Sequence, residues 1–87
     1  MADDMVAHVA GCLRAAEASL QQARDAQARA ERLLAKADQA GRADAEELAR
    51  EVGRCRIKVM TCEREVQRLT WAHRFCVMEA SPADEGQ

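Results

Sequence analysis

The sequence predicts an all-α fold: an antiparallel two-helix coiled-coil hairpin. Three observations predict it. Apolar residues recur at alternating steps of four and three through two long stretches, the spacing of one helix packing along another. A single helix-stop and helix-start signal, Gly41 through Glu47, lies near the middle of the chain. Aromatic residues are nearly absent, with one Trp, one Phe and no Tyr, whereas strands favour aromatic and β-branched residues between frequent turns. Ala, Arg, Glu, Leu and Gln dominate instead, the composition of long helices.

The first helix is expected over about residues 4–40. Asp3 or Asp4 can cap it, because a carboxylate accepts the orphan amides of the first turn. Its heptad a positions read Val6, Leu13, Leu20, Gln27 and Leu34, and its d positions Val9, Ala16, Ala23, Ala30 and Ala37. Layers of Leu and Ala let two backbones approach closely. The opposite side, with Arg14, Gln21, Asp25, Arg29, Arg32 and Lys36, is polar, so this helix has one apolar face. Gln27 alone is polar at a core position. Its amide must find a partner or reach water, and such a residue can fix register.

Gly41 is suited to the left-handed residue that ends a helix, and the turn is expected at residues 41–43. Asp44 and Glu47 then read as a capping box, which starts the second helix at about residues 44–45, to run to about 79. Ser81-Pro82 stops it. Residues 1–80 thus form one hairpin domain, and 81–87 an acidic tail expected to be disordered. A short connection joins antiparallel neighbours. Two registers fit. One sets Leu34 opposite Leu48 and Leu13 opposite Leu69, and suits a very short turn. The other slips by a heptad, sets Leu20 opposite Leu69 and Leu13 opposite Cys76, and brings Glu31 near Arg56 and Arg24 near Glu63.

A chain of 87 residues with formal net charge −2 holds one small domain. Two helices alone bury one face each, so a partner is expected. The interspersed charges are not those of a polybasic nucleic-acid binder. Helix 2 is locally basic, from Arg50 to Arg74, but its cations spread around the helix, so a solvated face is favoured over phosphate contacts. No run approaches a membrane span, and the acidic start is unlike a signal peptide. The expected location is cytoplasmic. Glycines are scattered and make no phosphate loop. A hairpin also offers no concave, dehydrated pocket, so enzyme activity is not expected, and no cofactor is implied.

Cys55, Cys62 and Cys76 share one helix, spaced by about 10 Å and about 20 Å. Disulfides tolerate about 7 Å between Cα atoms, so these three are read as small seam residues in a reducing compartment. His8 with Cys12 and His73 with Cys76 form two one-turn pairs at the open end of the hairpin, and two His with two Cys is a known zinc set. His8 falls on the outer face of its heptad, however, and there is no Cys-x-x-Cys knuckle, so this metal site is a minor candidate. A Cys12–Cys76 bridge requires the slipped register.

Helix 2 carries a second apolar stripe. The first, the seam, runs Leu48, Val52, Cys55, Val59, Cys62, Val66, Leu69, His73 and Cys76. On the far side lie Ile57, Met60, Trp71, Phe75 and Met78, with Arg64 and Arg68 between. Trp, Met and Arg are typical interface anchors, and monomers avoid large apolar patches. These seven residues are the expected partner-binding set. The partner is a second copy, giving a homodimeric four-helix bundle, or another protein. The expectation is therefore a non-enzymatic protein–protein interaction module. The alternatives are a small helical chaperone or inhibitor that caps a larger protein, and a zinc-stapled bundle.

Overall fold

Two helices, α1 (Ala2–Ala40) and α2 (Ala45–Ala80), make up the hairpin. The computed structural model describes residues 2–80. The expected Ser81-Pro82 stop and acidic tail lie outside the described residues. Strong helix formers fill both arms, and the single proline lies beyond them. The helices pack along their lengths into a rod with extents of 68 × 18 × 14 Å. No described helix is long and apolar enough to cross a membrane.

Helix α1 is already formed at Ala2. Asp4 therefore lies within the first turn and is not the cap, a position where an acidic residue still suits the positive end of the helix dipole. The stop follows the expected chemistry. Gly41 has φ of 63°, a conformation glycine adopts without steric cost. Arg42 N–H donates to the Ala37 carbonyl at 2.9 Å and Gly41 N–H to that of Asp38 at 3.2 Å. Together these are the two bonds of a Schellman cap.

At the start of α2, the Asp44 carbonyl accepts from Leu48 N–H at 3.0 Å, which makes Asp44 the cap residue. The capping box itself does not form. The Asp44 carboxylate instead takes the Arg42 guanidinium at 2.6 Å, and the Glu47 carboxylate turns to Arg50 at 3.3 Å. Charged partners two and three residues away outcompete neutral backbone amides for these carboxylates.

The seam is where the sequence places it. Every a and d residue of α1, and every seam residue of α2 from Leu48 to Cys76, is buried or half-buried. Alanines carry much of the close contact: Ala23, Ala30 and Ala37 are buried, Ala37 completely. Gln27 is half-buried, and its amide donates to Glu31 at 3.2 Å. It does not reach across the seam but bends outward to an exposed carboxylate of its own helix.

The apolar contacts are those of the short-turn register, which sets Ala23 opposite Val59 as it sets Leu34 opposite Leu48. Leu20, Ala23 and Val59 form a buried cluster, with Cys62 and Val66 packed against it. The slipped register would instead set Ala23 opposite Val66 and leave Val59 a heptad away. Yet both ion pairs of the slipped register are present, Arg24–Glu63 at 3.2 Å and Glu31–Arg56 at 3.6 Å. Long, flexible side chains absorb the axial offset, so charge pairing alone marks register poorly. The short turn and the apolar cluster fix it.

Candidate docking face

The far stripe of α2 stands open along its whole length. Ile57, Met60, Trp71, Phe75 and Met78 are between 53% and 66% exposed, whereas the seam residues interleaved with them are covered by α1. The cause is geometric. At about 100° per residue, these five positions and Arg64 fall within an arc of about 60°. That arc is centred on the side of α2 opposite the seam, and one neighbouring helix cannot reach it.

The stripe has two apolar ends and a charged middle. Ile57 and Met60 lie toward the turn, with Thr61 Oγ1 donating to the Ile57 carbonyl at 3.0 Å. Trp71, Phe75 and Met78 lie at the open end of the hairpin. Arg64 and Arg68, both exposed, lie between. Arg68 pairs with Glu65 one turn before it. This hydrogen bond holds the Glu65 carboxyl below its ordinary range and raises the Arg68 guanidinium. Both groups are in solvent, so the pair organises the surface more than it stabilises the fold.

At the open end the surface is sculpted. One shallow depression is lined by Trp71, Ala72, Arg74, Phe75 and Met78. A second lies between Met5 of α1 and Phe75, Cys76 and Glu79 of α2. Phe75 is the wall they share. The Arg74 guanidinium sits over the Trp71 ring at 5.9 Å, a cation–π contact that covers one face of the indole. Sequence periodicity misses Met5 as part of this surface. Met5 precedes the first seam residue of α1, and only the register of the finished hairpin brings it beside Phe75. Val77 and Leu33 are further exposed apolar residues outside the stripe.

The four candidate metal ligands are not brought together. The His8 Nε2 and Cys12 Sγ atoms lie 3.8 Å apart on the surface of α1, while His73 and Cys76 are half-buried in the seam. Among the described residues, no three His, Cys, Asp or Glu side chains are grouped to hold a metal ion. All four cysteines are free, so the Cys12–Cys76 bridge is not formed.

Comparison of the chain with protein-family models, with curated proteins and with solved structures finds no match.

Proposed function

We propose that this chain is a protein–protein interaction module without catalytic activity of its own, and that the outer face of α2 is its docking surface. The carrying observation is the pair Trp71 and Phe75, each 65% exposed one turn apart on a helix whose other face is already used. Large aromatics left in water forfeit about 25 cal/mol for each Å² of apolar surface that a partner would cover, and Trp is the residue type most enriched at interface hot spots. Arg64 and Arg68 supply the charged middle, Arg74 flanks Trp71, and Ile57 and Met60 extend the apolar contact toward the turn. The four free thiols fit a reducing, cytoplasmic setting.

A photo-crosslinking phenylalanine analogue tests the face whatever covers it. It is placed singly at Phe75, at Met60 and, as a control, at Arg29 on the polar side of α1, in cells making the protein. Covalent products are expected from Phe75 and Met60 and not from Arg29. Equal products from all three positions, or none from any, would remove the reading.

A further inference from the structure

We propose that the outer face of α2 docks on the same face of a second copy of the chain, antiparallel, about a two-fold axis passing between Gln67 and Arg68. The proposal rests on the reading of that face as the docking surface and adds its occupant. Spacing is the first observation. The six residues within the arc of about 60°, which leaves Arg68 at its edge, step three, four, seven, four and three from Ile57 through Met60, Arg64, Trp71 and Phe75 to Met78. The series is the same from either end. A two-fold axis perpendicular to the helices makes them antiparallel, and a palindromic spacing then sets each residue of the stripe level with a stripe residue of the other copy. Here Ile57 meets the partner's Met78, Met60 meets the partner's Phe75, and Arg64 meets the partner's Trp71.

Charge complementarity is the second observation. The arrangement sets apolar residues against apolar ones, and sets the exposed Arg64 guanidinium over an indole whose own helix already supplies Arg74 to it at 5.9 Å. The two Arg68 side chains approach the axis, but each arrives paired with its Glu65, so the centre is a four-charge cluster with no net charge. A parallel copy would instead stack Arg64 on Arg64 and Arg68 on Arg68, at the cost of like-charge repulsion.

The apolar area that the face offers is of the order a dimer needs. A fully covered aromatic buries about 150–250 Å². Trp71 and Phe75 from two copies thus bring several hundred Å² toward the roughly 1,200 Å² at the lower end of stable interfaces. Ile57, Met60 and Met78 of each copy add the rest over a contact about 32 Å long. Because the stripe lies opposite the seam, the four helices form a flat layer in the order α1, α2, α2, α1. The compact four-helix bundle expected from the sequence would need the two faces of α2 nearer a right angle.

Sedimentation of the purified chain under reductant, up to about 1 mM, is combined with cysteine cross-linking. For the latter the four native cysteines are replaced by alanine, with helicity checked by circular dichroism. A concentration-dependent dimer is expected, weakened about tenfold or more by Trp71→Ala. Gln67→Cys should give a covalent dimer by itself. Ile57→Cys and Met78→Cys should each give none alone and a covalent dimer when mixed. Cross-linking of Ile57→Cys or Met78→Cys alone would establish a parallel pair and overturn the proposal. A monomer throughout the range would overturn it too, while leaving the face open to a different protein. A dimer indifferent to Trp71→Ala and to all three cysteines would remove both the proposal and the docking reading beneath it.

Discussion

Arg24 of α1 donates to Glu63 of α2 at 3.2 Å, and one heptad nearer the turn the pairing recurs with the charges exchanged, Glu31 facing Arg56 at 3.6 Å. The exchange matters more than the strength of either bridge. A slip of one heptad in one direction brings Arg24 against Arg56, and in the other brings Glu31 against Glu63. Either error meets like charge. The pairs therefore disfavour a full-heptad slip from the pairing observed, while the short turn and the Leu20, Ala23 and Val59 cluster fix the register itself.

Charge reversal at one position should expose this. Arg24→Glu is expected to lower stability by up to about 1 kcal/mol, the upper end for exposed pairs. Adding Glu63→Arg should restore most of it. Urea unfolding of the two single variants and the double variant gives the coupling. Additive losses in the double variant would show that the pair contributes nothing as a pair.

Ala23 sets the spacing of the helices at the centre of the rod. It is buried in the cluster with Leu20 and Val59, so a larger side chain there must push α2 outward. Ala23→Leu should cost about 1–3 kcal/mol in thermal or urea unfolding, the usual penalty for overpacking. Ala18→Leu, on the exposed side of the same helix, should stay within about 0.5 kcal/mol of the parent. Equal effects at the two positions would mean that the alanines of the seam do not set the helix separation.

Gly41 ends α1 with φ of 63°, and space is not the constraint, since a Cβ there would meet nothing within 4 Å. The penalty for any L side chain is conformational. Gly41→Ala should lower stability by about 1–2 kcal/mol, measured by thermal unfolding. A D-alanine at the same position, introduced by ligation, should be neutral or stabilising, because it favours the positive φ and restricts the unfolded chain.

Much of this architecture was legible in the residues. Alternating steps of four and three separate Val52 and Val59, which are buried, from Ile57 and Met60, which are exposed, although all four are apolar and close in sequence. Periodicity carries that information because side-chain direction follows from helix geometry alone. Gly41 is legible for the same local reason. The register was not, because a heptad repeat matches itself after any seven-residue slip, and the offset is set by turn geometry and the fit of Leu20 against Val59. The capping box misled because Asp44 and Glu47 each had an arginine in reach, Arg42 and Arg50, and motif spacing does not weigh competing partners. Met5 joins Phe75 only across the finished hairpin, so no local pattern marks it. The metal set failed on direction: His8 and Cys12 meet each other, and His73 and Cys76 lie in the seam.

The Glu65–Arg68 pair makes a prediction about pH. The Arg68 hydrogen bond lowers the Glu65 carboxyl from its ordinary value of 4.5. A group whose folded pKa is depressed contributes stability that is fully present above the unfolded value and is lost as pH falls through the folded one. The contribution is small because both side chains are in water, but the titration itself is directly observable. Carbon-detected NMR of the Glu65 carboxyl should place its midpoint below 4.5, and Arg68→Ala should return it toward that value. The same experiment bears on the centre of the outer face. If Glu65 titrates at its ordinary value in the parent chain, the two charges are not paired in solution. Arg68 would then present an uncompensated cation at the middle of the stripe, and a second copy brought up antiparallel would meet like charge at the axis.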